Sequence, residues 1–364
     1  MRGVDDERRR MNVRPHAAMR SIVLLALSCC APADAAAVEF MGYYGCEPST
    51  QQNHTNLCIT SSPSTLVEGA AAGMAGMAQV TWAFFENARP PRAPGLQLRP
   101  DYAAGWATAR ATCGPGSHDD DWSPPCSLDA LRANGTTIGV FLGDELLLQG
   151  VTVAELTAAA AAVKAAWGAT NTSIVYWNEA WDPVVNNASF AEKHPASALG
   201  AVPTEVDWVS LDYYRRDATA WTVPEAAYAS ALYPKMVRAG QRALLVPGAF
   251  GRKHDVCGGV GTHCGGNASL PPCCAGQTNH SAAWWDAWST TVAEHYYDWA
   301  KRDARVIGIN PWYYGADRPT PTCGGNNISV RQQPTARRKW ADIGRAIMDP
   351  EKQSERKMGS RPMY

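Results

Sequence analysis

Short apolar segments alternate with helical segments along most of this chain, and this alternation constrains the fold more than any other feature. The strand-like segments are continuously apolar, as expected for strands that are covered on both faces of a sheet. A regular alternation of this kind predicts a parallel α/β fold. The candidate strands are residues 39–44, 79–84, 136–142, 173–177, 206–211, 243–246 and 305–310.

The helical segments carry start signals. Thr152 and Glu155 have the spacing of a capping box ahead of an Ala-rich segment that runs to about position 167. Thr222 and Glu225 repeat this spacing before a segment that runs to about position 238. The remaining predicted helices cover residues 64–77, 99–112, 281–303 and 334–347.

These elements predict a (β/α)8 barrel of the TIM type, with a doubly wound parallel sheet as the alternative. Seven candidate strands are visible, so we expect one irregular or missing strand. Its expected place is between Phe85 and Thr136, where Pro-rich and acidic loops interrupt the pattern. Residues 36–348 are predicted to form a single domain with long, disulfide-bearing βα loops.

The N-terminal segment has the pattern of a signal peptide. An apolar run over residues 21–31 follows Arg14 and Arg20 and precedes a small-x-small motif at Ala33 and Ala35. Residues 1–35 are therefore predicted to be a cleaved signal peptide, although the acidic residues within 1–10 fit that pattern poorly. No later segment is apolar enough to span a bilayer, so we expect a secreted or secretory-lumen protein with no membrane insertion.

The cysteines fit an oxidising compartment. Nine of the eleven follow the predicted signal peptide, and they are interpreted first as disulfides. The local pairs Cys46–Cys58 and Cys113–Cys126 each close one loop, whereas the pairing of the later five is open. An odd number leaves at least one thiol free or paired between chains. The later five are Cys257, Cys264, Cys273, Cys274 and Cys323.

Seven N-glycosylation sequons agree with secretion and predict surface loops. Their asparagines are Asn53, Asn134, Asn171, Asn187, Asn267, Asn279 and Asn327.

The formal net charge of −1 and the absence of a long basic stretch outside the termini argue against nucleic acid as a partner. Residues 349–364 are polar and aperiodic, which predicts a disordered tail.

Carboxylates and aromatic residues follow the predicted strands. In a barrel the carboxyl ends of all strands meet at one mouth, so these side chains are expected to converge there. The candidate catalytic residues are Asp144, Glu145, Glu179 and Asp212. The candidate substrate-binding residues are Tyr43, Tyr44, Trp82, Trp177, Asn178, Trp181, Tyr213, Tyr214, Asn310 and Trp312.

This combination is typical of carbohydrate-active sites. Flat sugar faces stack on aromatic rings, and glycosidic cleavage needs one protonated carboxyl group and a second carboxylate. A carboxyl group surrounded by aromatic rings has the raised pKa that a general acid requires. The sequence therefore predicts a secreted glycoside hydrolase with Glu145 as its acid, a carbohydrate as its partner, and no cofactor or metal.

Residues 141–145, Phe-Leu-Gly-Asp-Glu, resemble the strand-four signature of family 20 glycoside hydrolases, the β-N-acetylhexosaminidases. Residues 173–181 are similar to the Trp-x-Glu strand that follows in that family. The resemblance implies that Glu145 is the general acid and that Asp144 orients a substrate acetamido group. This chain departs from the family in having only Gly143 before the Asp-Glu pair and no Arg within residues 39–46.

Glu145 and Trp312 also resemble the strand-four acid and strand-eight Trp of the large retaining-glycosidase clan. Residues 245–250, at the predicted strand seven, contain no Glu for the nucleophile of that clan. Both resemblances imply a barrel with its acid at the end of strand four.

Other interpretations stay open. A non-catalytic extracellular carbohydrate-binding protein could use the same barrel, because fold does not imply catalysis. A metal-assisted hydrolase could use Asp144, Asp212 and a histidine from residues 254–263, although the cysteines in that loop favour disulfides over zinc. Each candidate carboxylate also has a structural interpretation, such as Glu179 orienting its neighbour. Oligomeric state and sugar specificity are not predicted.

Overall fold

The computed structural model describes residues 38–89, 95–113, 126–168, 173–213, 223–249, 251–252, 282–315 and 327–349. The predicted signal peptide, the predicted tail beyond Asp349, Tyr214 and the five late cysteines lie outside these residues. Among the sequon asparagines, the exposure of the Asn53, Asn134 and Asn187 side chains is described, and each of these three is exposed as expected.

Eight parallel strands form one sheet, in which the second to the eighth strands lie in chain order and the eighth pairs with the first. A parallel bridge between Tyr44 and Ile59 joins the two remaining edges, so the sheet closes as a barrel. The predicted (β/α)8 fold is confirmed. The strands are β1 Phe40–Met41, β2 Leu57–Thr60, β3 Ala75–Gln79, β4 Thr137–Asp144, β5 Ile174–Ala180, β6 Trp208–Asp212, β7 Arg242–Leu245 and β8 Val306–Ile309.

The expectation of an irregular third strand between Phe85 and Thr136 is wrong. The unrecognised strand is β2, which has only four residues and follows β1 directly. The described part of 85–136 contains the helices Tyr102–Thr112 and Leu128–Ala133 and an antiparallel pair, Phe85–Asn87 with Leu96–Leu98.

The second predicted strand is also misplaced. The strand occupies Ala75–Gln79, and residues Thr81–Phe84 form a short helix. The small residues of β3 resemble a continuation of the preceding helix, which was predicted to reach position 77. That helix ends at Ala71 because Gly73 adopts a positive φ of 80°.

Helices cover the outside of the barrel. The capping box is confirmed, since the Glu155 N–H donates to Thr152 Oγ1 at 3.2 Å and the Thr152 N–H donates to Glu155 Oε2 at 2.8 Å. The α-helices are Pro48–Gln51, Pro63–Ala71, Thr81–Phe84, Tyr102–Thr112, Leu128–Ala133, Val153–Trp167, Trp181–Val185, Ala188–Lys193, Val223–Ala227, Ala282–Arg302 and Pro334–Met348. A π-helix at Tyr228–Leu232 and 3-10 helices at Pro195–Ser197, Tyr233–Lys235 and Val330–Gln332 complete them.

Successive side chains of each strand point to opposite faces and so build two cores. The inner core fills the barrel and comprises Leu57, Ile59, Met77, Phe141, Tyr176, Trp208, Leu244 and Ile307. A larger outer core lies between strands and helices and includes Leu142, Trp177 and Leu211 together with helical residues such as Leu156. Whether a side chain can reach the mouth therefore depends on whether it lies on the inner or the outer face of its strand.

Both predicted local disulfides are present. Cys46 and Cys58 join the segment after β1 to β2, and Cys113 and Cys126 join the helices Tyr102–Thr112 and Leu128–Ala133. Loops of this length gain roughly 3 kcal/mol from closure. No helix within the described residues is long and apolar enough to cross a membrane.

Candidate active site

A cavity of about 290 Å³ opens at the carboxyl ends of the strands. It lies on the side of the mouth formed by β1 to β4 and the segment after β8, and one carboxylate, Asp144, lines it. Aromatic rings and hydroxyl groups supply most of the remaining wall. The lining residues are Tyr44, Gly45, Cys46, Ile59, Thr60, Ser61, Gln79, Phe141, Asp144, Trp312 and Tyr313.

Asp144 is held at the end of β4 by a hydrogen-bonded chain that crosses three strands. Its Oδ1 accepts from Asn178 Nδ2 at 2.5 Å, and Asn178 Oδ1 accepts from the Ser210 hydroxyl. The Tyr176 hydroxyl lies 2.7 Å from Ser210 Oγ and donates to it, because the Ser210 proton is already committed to Asn178. Burial raises the pKa of Asp144, and the Asn178 hydrogen bond offsets part of this rise.

Glu145 begins the turn after β4 and adopts a left-handed conformation, with φ of 50°. This backbone state costs a non-glycine residue on the order of 1–3 kcal/mol and is concentrated at functional sites. The Glu145 N–H donates to the carbonyl of Asn178 at 3.0 Å, which fixes the turn against β5. Burial and the charge of Asp144 raise the pKa of Glu145 to about 7, so its side chain can hold or release a proton near neutral pH.

Gly143 makes this bend possible. Its φ is 154°, and a Cβ at this position would lie 2.8 Å from Leu146 Cδ2 and 2.9 Å from Thr81 Oγ1. Those separations are shorter than real Cβ contacts, so a side chain would displace the turn. Steric exclusion of a Cβ therefore explains why a glycine, Gly143, stands directly before the Asp-Glu pair.

Asp212 ends β6 and shares the inner face with Trp208 and Ser210, four and two residues before it. Burial raises the pKa of Tyr176, and the charges of Asp212 and Asp144 raise it further. Both carboxylates therefore lie near the Tyr176 hydroxyl, at the top of the barrel interior. The structure brings Asp144, Glu145 and Asp212 to the same end of the barrel.

Glu179 is placed differently from the other three candidate carboxylates. It belongs to the outer face of β5, like Trp177 two residues earlier, and both side chains have no exposed surface. Its Oε2 accepts from the Trp177 indole at 3.1 Å. Burial raises the pKa of Glu179, and the N–H donors of Leu147, Ala180 and Leu148 favour its charged form and offset part of this rise. The expectation that Glu179 and Trp177 reach the mouth is thus corrected, because the alternation along β5 turns them toward the helices.

The predicted aromatic residues likewise divide into those that line the cavity and those that pack on the outer face of the barrel. Tyr44 and Trp312 line the cavity. Tyr43 is fully buried on the outer face, where its ring lies 4.9 Å from that of Tyr314, and Trp82 packs against the outer core. Neither Tyr43 nor Trp82 lines the cavity.

Trp181 and Tyr213 pack against each other, with ring centroids 4.3 Å apart, beyond the ends of β5 and β6. Tyr214 lies outside the described residues. Asn178 contacts Asp144 rather than open solvent and is fully buried.

Asn310 is fully buried one layer beneath the cavity. Its Oδ1 lies 2.8 Å from where a Cβ of Gly42 would stand, and neither Nδ2 nor Oδ1 has a hydrogen-bond partner among the described residues. Two residues further along their strands, Trp312 and Tyr44 line the cavity itself. Asn310 thus supports the floor of the mouth and does not form its surface.

The sequence prediction missed several polar residues of the site. Thr60, Ser61 and Gln79 line the cavity, and Ser210 anchors Asn178. Thr60 and Gln79 end β2 and β3, so correct strand boundaries would have revealed both. Ser210 stands two residues before Asp212, and the alternation of β6 would have placed it on the same face.

No group of three or more potential metal ligands occurs among the described residues. The histidine considered for a metal-assisted reaction belongs to residues 254–263, which lie outside that part of the chain.

No family model matches the chain, and no curated protein matches its sequence. Among solved structures, a GH113 β-1,4-mannanase is 10% identical with a TM-score of 0.44, covering 84% of this chain and 98% of its own. Xylanase 10B from Thermotoga petrophila, in complex with xylobiose, is 10% identical with a TM-score of 0.46, over 84% and 94% of the two chains. Fungal β-1,4-galactanases are 13% identical with a TM-score of 0.44, over 89% and 97%.

At these identities the likeness concerns the fold and does not extend to function. The class that the topology itself defines is a (β/α)8 barrel with a carboxylate-bearing mouth. The expected kinship with family 20 is not supported by any of these findings.

Proposed function

We propose that this protein is a secreted glycoside hydrolase that cleaves an oligo- or polysaccharide by general acid catalysis. The observation that carries the proposal is Glu145, whose pKa is raised to about 7 beside Asp144 at the end of β4. A carboxyl group that is protonated near neutral pH, next to a cavity with aromatic walls, suits the protonation of a glycosidic oxygen.

The roles follow from placement. Glu145 donates its proton to the glycosidic oxygen as the bond from that oxygen to the anomeric carbon breaks, and the bonding electrons stay with the departing oxygen. Asp144 keeps the pKa of Glu145 high through its charge. Asp212, at the end of β6, is the second carboxylate, which either attacks the anomeric carbon or takes a proton from the attacking water.

Substrate binding is assigned to the cavity. Trp312 and Tyr44 offer aromatic surface to the apolar face of a sugar ring, and Thr60, Ser61 and Gln79 offer hydrogen-bonding groups to its hydroxyls. Secretion is supported by the signal-peptide pattern, and the two disulfides and the three exposed sequon asparagines are consistent with it.

The test compares two isosteric substitutions in the full chain, expressed through a secretory host and assayed on a panel of aryl glycosides and glycans. Glu145→Gln removes the proton donor and is expected to lower kcat by about 10²–10⁴-fold. Glu155→Gln makes the same chemical change in the capping box of the next helix, where the side chain does not line the cavity, and is expected to leave kcat unchanged. Full turnover by Glu145→Gln would remove Glu145 from the mechanism.

A second candidate function is a non-catalytic extracellular carbohydrate-binding protein on the same barrel. Two observations favour it: Glu179 does not reach the mouth, and the residues that follow β7, 246–249, contain no carboxylate. Binding to a glycan array without hydrolysis of the bound glycans during long incubation would select this function. Release of reducing ends from the same glycans would select the hydrolase.

A further inference from the structure

The Glu179 carboxylate accepts four hydrogen bonds from N–H groups. Its Oε2 accepts from the Leu147 N–H at 2.8 Å and from the Trp177 indole at 3.1 Å. Its Oε1 accepts from the Ala180 N–H at 2.9 Å and from the Leu148 N–H at 3.2 Å. Two donors on each oxygen fill the acceptor capacity of a carboxylate, so Glu179 has no free site for a substrate hydroxyl.

Two of these donors belong to the turn that carries Glu145. Leu147 and Leu148 follow Glu145 by two and three residues, and Leu146 and Leu147 are fully buried. The other end of the turn is fixed by the hydrogen bond from the Glu145 N–H to the Asn178 carbonyl. Adjacent residues of β5, Asn178 and Glu179, therefore hold both ends of the turn.

The two residues also act on opposite faces of β5. On the inner face, the Asn178 side chain holds Asp144. On the outer face, Glu179 supplies the acceptor that the buried N–H of Leu147 requires. A side chain without acceptors would leave this N–H unsatisfied and release the turn.

We infer that Glu179 is a positioning residue, whose carboxylate fixes the turn of residues 145–149 and thereby directs the Glu145 side chain toward the mouth. This inference rests on the proposed function, because it assigns Glu179 to the support of the proposed acid. It replaces the catalytic role that the sequence predicted for Glu179.

The kinetic test is Glu179→Gln in the full chain. The amide places an NH₂ group against two N–H donors, so the turn must shift while the buried volume stays the same. Misplacement of an acid by about 1 Å costs about 10²-fold in rate, so we expect that loss in kcat with KM changed less than about threefold. Glu155→Gln, the matched control, is expected to keep the wild-type kcat.

The pH profile separates positioning from a general loss of structure. Glu145, Asp144 and Asp212 are the carboxyl groups that share this end of the barrel with Glu179, and the charge of Glu145 acts directly on Glu179. Because the turn sets the burial of Glu145, Glu179→Gln is expected to move the alkaline limb of kcat/KM. A Glu179→Gln enzyme with wild-type kcat and an unmoved limb overturns the inference.

Amide hydrogen exchange tests the same contact without any activity. Exchange at Leu147 and Leu148 is expected to accelerate at least tenfold in Glu179→Gln and to stay unchanged in Glu155→Gln. Unchanged exchange overturns the inference. If Glu145→Gln keeps full turnover, the proposed function fails on its own, and the exchange experiment still reports whether Glu179 holds the turn.

Trp177→Phe supplies a second variant if Glu179→Gln fails to fold. It removes one donor from Oε2 and keeps a buried aromatic ring. We expect a decrease in kcat of a few-fold together with a displaced alkaline limb. A folded Trp177→Phe protein with wild-type kcat, pH profile and amide exchange counts against the inference.

Discussion

Partly buried carboxylates occur at both ends of the barrel, and their surroundings differ. Asp207, just before β6, accepts from Lys164 Nζ at 2.5 Å, from Arg238 at 2.9 Å and from the Val175 N–H at 2.8 Å. At the opposite end, Asp144 and Glu145 form no ion pair with any residue that the structure describes. At the end that we call compensated, the charge of Asp207 is balanced by Lys164 and Arg238, and its carboxylate joins strands and a helix. At the uncompensated end, Asp144 and Glu145 face the mouth with raised pKa values. This difference agrees with the general division of barrels into a stabilising end and a functional end.

The largest effect on stability is expected at the compensated end. Asp207→Asn leaves the charge of Lys164 without its partner in a largely buried position, so we expect a loss of about 3 kcal/mol in the free energy of unfolding. Chemical denaturation measures this loss. Turnover per folded molecule is expected to stay at the wild-type value, since Asp207 lies away from the mouth.

The control for this change is Asp101→Asn, which removes the partner of Arg99 in an exposed ion pair. We expect no measurable change in the denaturation midpoint. A comparable loss in both variants would show that the burial of the Asp207 ion pairs does not set their contribution to stability.

A smaller effect on stability, coupled to activity, is expected at the uncompensated end. Gly143→Ala forces a Cβ against Leu146 and Thr81, so we expect a loss of about 2 kcal/mol and a lower kcat because the turn that carries Glu145 must move. Gly168→Ala is the matched control, since Gly168 also has a positive φ but a Cβ there would meet nothing within 4 Å. The control is expected to lose about 1 kcal/mol and to keep its kcat. Equal kcat in the two variants would disprove a steric role for Gly143.

A further expected effect is the pH dependence of stability. The folded-state pKa of Glu145 is raised to about 7, above its ordinary value of 4.5. The folded state therefore binds this proton more tightly than the unfolded state, and this contribution to stability is fully present below about pH 4.5 and is lost as the pH rises to about 7. The free energy of unfolding is expected to decline between these two pH values. Glu145→Gln should flatten the decline, and an unchanged slope would contradict the raised pKa.

Much of the barrel could be predicted from sequence because β4, β5 and β6 are continuous apolar runs that end in polar residues. Asp144 and Asp212 were placed correctly at strand ends for this reason. β2 and β3 escaped recognition because one has four residues and the other consists mostly of small residues that are equally compatible with a helix. Because β2 and β3 were not located from the sequence, Thr60 and Gln79 at their ends were not predicted as cavity residues.

The site was predicted less completely than the fold, because strand ends indicate which residues lie near the mouth but not which face they occupy. Trp177, Asn178 and Glu179 are consecutive, so they cannot all point the same way along β5. The choice of face depends on register, and the pairing of β4 with β5 shifts between Phe141 and Asp144. This irregularity depends on tertiary pairing and leaves no recognisable mark in the sequence.

The central claim is that Glu145 acts as a general acid whose pKa is held near 7 by burial and by Asp144. The most direct measurement is the pH dependence of kcat/KM for the wild type and for Asp144→Asn. We predict that the wild-type value falls as the pH rises through about 7, and that Asp144→Asn moves this fall to lower pH because the charge that raises the pKa of Glu145 is gone. A wild-type kcat/KM that stays constant above pH 8, or a fall that Asp144→Asn leaves in place, would contradict the assignment.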